Sequence, residues 1–537
     1  MKTQVAVIGG GPCGLASSLL LSRFGIENVL LEKHPDISFH PKAMGITRRS
    51  SEIFRSLGIL SALEEEDILE DTPLITRWAQ SLANGEELGE APAHASFPEF
   101  SPGRTVHCPQ PRTEAALREA VEAEPKATLR FGRKMLSFSQ NKSDVQILHE
   151  PREGGSEETL EAEWMIAADG DASPTRTSLG IETDGPGDLG HFVNVYFKAD
   201  YGQHLPKQAL LHNILNAHGF EVFVSVNNRD RWLMHHFLDE GESPDDYDAE
   251  KFVEIIKGMS GLPKVEVEIL GMSPWIMSPK IARQWKTGRI FLTGDASARL
   301  SPAGGLGMNT GLQSAHNLAW KVAAVVRGEA DESLLETYAQ ERLGVIGRIF
   351  ENSSGNSAEV FSIVGKGLAG DWDGVKEEIS HTRRAGSGLG LDLGLGYPSG
   401  AFLPDGSPEQ EIADPVNDFQ PDARPGVRAP HLPIDGEGSI LDHYGDGFAL
   451  VVGPDGDEWE TAAAGLTSAR SFPLGLKVLR CGKNLAVDSG DFLKTYGIPA
   501  DGAVLVRPDG ITGARWKDGV NAKSRLETAA ETFGATA

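Results

Sequence analysis

A glycine turn near the N-terminus constrains this chain most. The apolar run at residues 5–8 predicts a buried strand, which leads into Gly9-x-Gly11-x-x-Gly14 and then into a helical pattern. Gly9 permits the tight turn, Gly11 lets a pyrophosphate approach the backbone, and Gly14 lets the helix pack on its strand. The N-terminus of that helix then faces the anion. The turn predicts a Rossmann-like dinucleotide-binding domain; the alternative is a glycine-rich turn in an unrelated α/β protein.

A carboxylate occupies the position where such a domain holds a ribose. The second apolar run, residues 29–31, ends at Glu32. Dinucleotide-binding domains place Asp or Glu about 20 residues beyond the turn, where it accepts hydrogen bonds from an adenosine ribose. Glu32 therefore favours dinucleotide binding over the unrelated turn.

Length and composition exclude several classes of protein. The 537 residues predict about three domains, and no apolar stretch approaches the roughly 18 residues of a membrane span. A net charge of −27 argues against nucleic acid and anionic membranes as partners. Cys13, Cys108 and Cys481 lack metal-ligand or CxxC spacing, so we expect packing roles, no metal site and a reducing compartment. Because no basic leader precedes the first strand, we expect a cytoplasmic protein without stable membrane association.

The pattern along the chain predicts a discontinuous nucleotide-binding domain. Residues 1–185 carry its first part, and residues 279–384 carry its second part. Between them, residues 186–278 predict an antiparallel sheet, because apolar and polar residues alternate there. The alternating runs are 192–200, 220–226 and 232–237. Residues 385–430 are rich in Gly and Pro and predict a linker, and residues 431–537 predict a small separate α/β unit.

Further motifs give the chain a resemblance to a known family. They are the glycine turn at 9–14, Asp169-Gly170 within 169–176, Gly294-Asp295 within 294–296, and the loop 302–311. Because it has these motifs in this order, the chain resembles the class A flavin-dependent aromatic hydroxylases, the family of para-hydroxybenzoate hydroxylase. It is most similar to the branch of phenol and polyketide hydroxylases with a C-terminal thioredoxin-like domain. The resemblance implies an α/β fold: a Rossmann-like FAD-binding domain interrupted by an antiparallel-sheet substrate domain, and then that C-terminal domain.

By this resemblance the chain binds FAD, and the motif positions imply which residues contact it. Asp295 would reach the ribityl chain. The loop at 302–309 would present helix N–H groups to the flavin pyrimidine edge, where a reduced flavin is negatively charged. The glycines of that loop would let the backbone approach the ring. The implied FAD contacts are Gly9, Gly11, Pro12, Cys13, Gly14, Glu32, Lys33, Lys42, Gln110, Asp295, Gly305, Gly307 and Met308.

At three positions the family pattern implies less about the role of the residue in this chain. Lys42 lies where many relatives have an arginine, and a lysine keeps the charge but loses the bidentate fork. Ala298 stands where many relatives have a histidine, so any role of that histidine is in doubt here. Asp169 belongs to a motif linked in the family to flavin and nicotinamide binding, and we expect it mainly to hold the local loop and helix.

The resemblance implies an FAD-dependent monooxygenase that uses NADPH or NADH and O2 to hydroxylate a phenolic or polyketide-type aromatic substrate. A flavin C4a-hydroperoxide would pass its distal oxygen to a nucleophilic ring carbon. Epoxidation, Baeyer–Villiger oxidation and dearomatisation on the same flavin stay open, and so does a flavin-binding partner protein without turnover. The C-terminal unit has only Cys481, so we expect no disulfide exchange. A homodimer is expected by resemblance only.

The domain order predicts a substrate pocket between the sheet at 186–278 and the loop at 301–308. Side chains alternate between the two faces of a strand, so one face must line that pocket. The predicted lining residues are His212, Phe223, Met234 and His236, with Pro302 against the flavin. Either histidine would act in catalysis by accepting a phenolic proton. The alternative for each residue is simple packing or exposure to solvent.

Overall fold

A parallel sheet is the core of the nucleotide-binding domain in the computed structural model, which describes residues 1–65, 67, 75–91, 97–227, 229–382, 388–434, 438–468 and 472–534. Strand Lys2–Ile8 pairs in parallel with Asn28–Glu32 on one side and with Glu158–Ala167 on the other. Ala127–Phe131 continues one edge and Ile290–Leu292 the other. Residues before and after the predicted insertion thus share one sheet, which confirms the interrupted Rossmann-like fold.

Helices pack around this sheet. Pro12–Arg23 follows the glycine turn and packs beside Gly307–Val326. Further helices of the domain are Arg48–Ser56, Leu60–Glu64, Gln110–Glu122, Pro174–Ser178, Thr337–Leu368 and Leu389–Leu393. Helix Trp372–His381 packs instead against Thr337–Leu368 and against strand Glu87–Ala91 of the second sheet. A hairpin of Arg133–Gln140 and Val145–Pro151 joins antiparallel to Glu158–Ala167. Among the described residues, no helix is both long enough and apolar enough to cross a membrane.

The second sheet has seven strands. Their order is Glu268–Met277, Gly190–Lys198, Arg231–Leu238, Gly219–Ser225, Leu211–Asn216, Thr76–Ala79 and Glu87–Ala91. The first five belong to the predicted antiparallel region and pair antiparallel. The last two come from the N-terminal segment, and Thr76–Ala79 joins in parallel. Nothing in the local pattern indicates this addition, because the partner strand is far away in sequence. Asn228, in the connection between the alternating runs 220–226 and 232–237, lies outside the described residues.

The two faces of the second sheet differ in burial. Helix Ala249–Ser260 is amphipathic and covers one face with Phe252, Ile256 and Met259. These residues share a hydrophobic cluster with Val193, Val195, Phe197, Phe223, Trp232 and Met234 of the sheet. Side chains that alternate with these point to the opposite face, where several are only half-buried. The opposite face is covered at one end, where Ile363, Val375 and Ile379 of helices Thr337–Leu368 and Trp372–His381 pack on Trp78 and Leu215. It is open only at strands Gly190–Lys198, Arg231–Leu238 and Glu268–Met277, and this uncovered part is called the open face below. The face beneath helix Ala249–Ser260 is called the closed face.

A four-stranded sheet forms the centre of the C-terminal unit. Its order is Leu476–Arg480, Phe448–Val452, Ala503–Val506 and Thr512–Trp516. The first pair is parallel, and the other two pairs are antiparallel. Helices Asp457–Ser468, Ser489–Tyr496 and Ala522–Thr532 accompany the sheet. Cys481 is a buried free thiol.

A buried ion network joins the C-terminal unit to the nucleotide-binding domain. Glu341 accepts hydrogen bonds from Lys321 Nζ at 2.8 Å and from Arg507 Nη1 and Nη2 at 2.8 and 2.9 Å. Arg507 also binds Asp509, whose side chain is only 2% exposed. Burial alone raises the pKa of Glu341, but Arg507 and Lys321 outweigh burial and hold the value at about 2. The charged network therefore fixes the C-terminal unit onto helices Gly307–Val326 and Thr337–Leu368.

Candidate active site

The three glycines of the N-terminal turn have different surroundings. Gly9 has a φ of +108°, and a Cβ there would lie closer than 3.0 Å to the carbonyl oxygen of Ala168. A Cβ on Gly14 would lie equally close to the carbonyl oxygen of Gly9. At Gly11, by contrast, no atom of the described residues lies within 4 Å of the Cβ position. Packing within the protein thus requires Gly9 and Gly14, whereas Gly11 leaves room for a ligand.

The space at Gly11 adjoins a helix N-terminus. Gly11 is the N-cap of helix Pro12–Arg23, and no side chain of the described residues caps that helix. Free N–H groups and the helix dipole there favour an anion such as a pyrophosphate. Glu32 accepts hydrogen bonds from the N–H groups of Gly10 at 2.6 Å and His34 at 2.7 Å. Its carboxylate therefore holds the turn and keeps lone pairs that a ribose hydroxyl can use.

Cys13 brings the glycine turn against the two later motifs. Its Sγ lies 3.0 Å from the position of a Cβ on Gly294, and still closer to that of a Cβ on Gly311. Burial raises the pKa of the Cys13 thiol, and the Asp295 carboxylate adds to the effect, so the thiol stays neutral. Glycine at both positions lets the segments approach. Segments far apart in sequence therefore meet beside one helix N-terminus.

Asp295 lies in the short turn Gly294–Ala296, after strand Ile290–Leu292. Its side chain is exposed, although protein surrounds it closely enough that desolvation raises the pKa of the carboxyl. The cations Arg299 and Lys42 oppose that shift. A carboxylate here can accept hydrogen bonds from the hydroxyls of a ribityl chain. Ala298, in place of the family histidine, is buried.

Asp169 organises the chain that follows its strand. Its carboxylate accepts hydrogen bonds from Ser173 Oγ at 2.6 Å and from the N–H of Thr175 at 3.0 Å. Arg176, in the short helix that begins there, donates to the Ala296 carbonyl at 2.9 Å. The expected role of Asp169 in holding the loop and helix is confirmed, and Arg176 ties this motif to the turn that carries the ribityl-chain candidate.

The loop before helix Gly307–Val326 is open. Gly305 has a φ of +66°, which favours glycine. At both Gly305 and Gly307, no atom of the described residues lies within 4 Å of a Cβ position. Pro302 is exposed and Met308 is half-buried. Because no described side chain caps this helix, its first N–H groups are available to an electron-rich ligand.

The segment 39–47 connects this helix to the open face of the second sheet. Asn309 accepts a hydrogen bond from the Thr47 N–H at 2.9 Å and donates to the Gly45 carbonyl at 2.9 Å. Met44 packs with Leu233 of the sheet. Segment 39–47 therefore contacts both the start of this helix and the open face of the sheet.

Gln110 holds segment 39–47 by a hydrogen bond to its backbone. Its Oε1 accepts a hydrogen bond from the Ala43 N–H at 3.2 Å, and its Nε2 donates to Glu114 at 2.7 Å. Lys42, adjacent to Ala43, is exposed, as is Lys33 beside the ribose candidate. The amide of Gln110 is thus engaged with the loop that presents Lys42.

Phe223 and Met234 lie on the closed face of the second sheet. They are opposite each other on neighbouring strands, and both are fully buried in the cluster beneath helix Ala249–Ser260. His212 pairs with Phe223 and is also fully buried. This placement contradicts the prediction that these residues line a substrate pocket. Alternation correctly predicts two faces, but the face predicted to line the pocket is the one that helix Ala249–Ser260 covers.

The two predicted catalytic histidines are engaged inside the protein. His212 Nδ1 lies 3.4 Å from Arg77 Nη1, and burial together with Arg77 lowers the pKa of His212 to about 3. His236 Nδ1 lies 2.6 Å from Glu221 Oε1, and both side chains are nearly buried. The centroids of the His236 and Tyr247 rings also lie only 4.6 Å apart. Neither histidine reaches the open face, so the catalytic assignment is corrected as well.

The open face carries different polar and aromatic residues. Tyr196, His235 and Trp275 are half-buried, and the ring of Phe39 contacts Tyr196 at 5.7 Å. Asn194, between them, is 9% exposed. Sequence reasoning missed this set, although helix Ala249–Ser260 could have indicated it. The apolar stripe of that helix must cover one face of the sheet, so the exposed positions are expected on the other face.

Family models match most of the chain. One described as FAD binding domain matches residues 2–353, and one described as aromatic-ring hydroxylase, C-terminal, matches residues 422–536. The chain is 32% identical to a putative polyketide hydroxylase of Streptomyces halstedii, over 98% of this chain and 96% of that protein. It is also 32% identical to the tetracenomycin A2 monooxygenase-dioxygenase of Streptomyces glaucescens, over 96% of this chain and 93% of that protein.

Solved structures share the whole fold. The flavin-dependent monooxygenase PieE, in complex with FAD and substrate, superposes with a TM-score of 0.92 at 28% identity, over 99% of each chain. A ternary complex of aklavinone-11 hydroxylase with FAD and aklavinone has a TM-score of 0.86 at 29% identity, again over 99% of each chain.

Proposed function

We propose that this chain, which belongs to the FAD-dependent aromatic-ring hydroxylases, acts on a polyketide-type phenolic substrate. It is an FAD-dependent monooxygenase. The substrate proposal depends on one observation: the half-exposed sheet face beside segment 39–47 combines broad aromatic surface with a polar cluster. Relatives named as polyketide and tetracenomycin oxygenases support the same substrate class.

The residues present fit FAD. Space at Gly11 and the helix start behind it would take the pyrophosphate, and Glu32 would take the ribose. Asp295 would bind the ribityl chain. The N-terminus of helix Gly307–Val326 would face the pyrimidine edge and stabilise negative charge there. When bound, the flavin supplies hydride acceptance and the activation of dioxygen.

The side chains of the open face would bind and shield the substrate ring. Phe192 stacks on Trp275 with ring centroids 4.5 Å apart and meets Phe237 edge-on at 5.0 Å. Such a surface suits a fused aromatic substrate and excludes water from the reacting carbon. Ser301 precedes the glycine loop, and its Oγ lies 3.8 Å from Sδ of Met277, the last residue of edge strand Glu268–Met277. The loop with Pro302 would thus close one side of the pocket.

Several further features belong to the same proposal. We propose O2 and NADPH or NADH as co-substrates, a homodimer, and a cytoplasmic location. The C-terminal unit would be thioredoxin-like, which its strand order of one parallel and two antiparallel pairings supports. Its lone Cys481 gives no partner for disulfide exchange within the described residues.

The test is spectroscopic and kinetic. Purified protein should contain FAD and should oxidise NADPH or NADH faster when a phenolic polyketide is present. A colourless protein that cannot take up FAD would contradict the assignment. Bound flavin that stays oxidised with both nicotinamides and substrate would instead support a partner protein without turnover. NMR of the product separates hydroxylation from epoxidation, Baeyer–Villiger oxidation and dearomatisation.

A further inference from the structure

Asn194, His235 and Trp275 form a hydrogen-bonded network on the open face. They lie on three adjacent strands of the second sheet. Trp275 Nε1 donates to Asn194 Oδ1 at 2.6 Å, and His235 Nδ1 lies 2.6 Å from the same oxygen. No motif of the flavin-binding domain involves these residues.

The network determines which nitrogen of His235 carries the proton. An indole N–H can only donate, so the Asn194 atom that Trp275 contacts is the amide oxygen. That oxygen can only accept, so His235 Nδ1 is protonated. In a neutral imidazole the proton on Nδ1 leaves a lone pair on Nε2. Burial and the neighbouring His40 lower the pKa of His235 to about 4, so the ring is neutral near pH 7.

His235 Nε2 is therefore an acceptor at the border of the pocket. It has no hydrogen-bond partner among the described residues, and the side chain is half-buried. The ring is fixed by Asn194 and by its edge-to-face contact with Trp275, at 6.4 Å between centroids. A partly buried acceptor is stabilised by a donor from solvent or ligand. The acceptor is thus held in place before any ligand arrives.

We propose that His235 Nε2 accepts a hydrogen bond from a hydroxyl group of the aromatic substrate and so orients the ring against the flavin. This inference rests on the proposed function for the substrate class. The pKa of about 4 at His235 lies far below the value of about 10 for a phenol. His235 therefore positions a neutral hydroxyl and does not remove its proton in the ground state.

The experiment compares two probes that differ only at the hydroxyl group: 2-hydroxyanthraquinone and 2-methoxyanthraquinone. Titration of the FAD-loaded protein gives the Kd of each probe, without turnover. The wild-type protein should prefer the hydroxy probe by about three- to tenfold, the effect of one hydrogen bond. In His235→Phe that preference should disappear. His235→Gln, whose amide oxygen can replace Nε2, should recover part of it.

The controls distinguish loss of the hydrogen bond to the probe from a general disturbance of the sheet. His218→Phe, at an exposed position, should keep the wild-type preference. A variant that only disturbed the sheet would weaken both probes equally, so a preserved preference in His235→Phe would overturn the proposal. A wild-type protein that binds both probes equally, or binds neither, would overturn it too. Failure of the proposed function is seen separately, as FAD-loaded protein that discriminates between the probes but never oxidises NADPH or NADH.

Discussion

Gly11→Ala should weaken FAD binding and leave the apoprotein folded. Gly11 has φ −74° and ψ −179°, which alanine adopts readily, and its Cβ position is open. Lower entropy of the unfolded chain stabilises the variant by about 0.4–1 kcal/mol. Alanine is a poorer N-cap than glycine, which costs a similar amount. The free energy of unfolding of the apoprotein should therefore change by less than about 1 kcal/mol.

The added methyl group enters the space assigned to the pyrophosphate. An overpacked contact costs about 1–3 kcal/mol, so the Kd for FAD should rise about 5- to 150-fold. Gly14→Ala differs because its Cβ would lie closer than 3.0 Å to a backbone oxygen. That variant should destabilise the apoprotein itself. Gly347→Ala, in helix Thr337–Leu368 with open space at its Cβ position, is the matched control.

Calorimetric titration of each apoprotein with FAD gives the Kd, and thermal unfolding of the same samples gives the Tm. A wild-type Kd for FAD in Gly11→Ala would contradict a pyrophosphate contact at this glycine. A Tm of the Gly11→Ala apoprotein as low as that of Gly14→Ala would show that Gly11 is needed for folding instead.

Three further predictions concern other parts of the structure. Glu341→Gln should cost about 3–5 kcal/mol in chemical denaturation, because it leaves the buried cations Lys321 and Arg507 without their shared counter-ion. The pKa of Glu341 is about 2 in the folded protein, against an ordinary value of 4.5, so its contribution to stability is present above pH 4.5 and lost towards pH 2. Glu341→Gln should lack that acid-dependent component. Asn309→Ala should raise the Kd for FAD by leaving two backbone groups of segment 39–47 unpaired, and titration with FAD measures this. The Cys13 thiol, neutral through burial, should react with a thiol reagent far more slowly in the folded protein than in urea.

The flavin-binding segments could be predicted because their geometry is local. Gly9 and Gly14 are required by contacts within a few residues or with the adjoining strand. Glu32 follows from the length of one strand–helix–strand unit. The pyrophosphate contact proposed at Gly11 follows from the same unit, because its open Cβ position adjoins a helix N-terminus.

The sheet face that we propose for the substrate could not be identified from the strands alone. Alternation establishes that His235 and His236 point to opposite faces, but it does not say which face is covered. Which face is covered depends on helix Ala249–Ser260, which comes after both histidines in the sequence. The additional strand Thr76–Ala79 is a similar case, because its pairing with Leu211–Asn216 joins residues remote in sequence.

A crystal structure of the FAD-loaded protein with 2-hydroxyanthraquinone would locate the flavin and the substrate ring together. We predict the pyrophosphate at Gly11, the pyrimidine edge at the N-terminus of helix Gly307–Val326, and the probe hydroxyl at His235 Nε2. A probe bound on the closed face beside Met234, or an FAD pyrophosphate away from Gly11, would contradict the account.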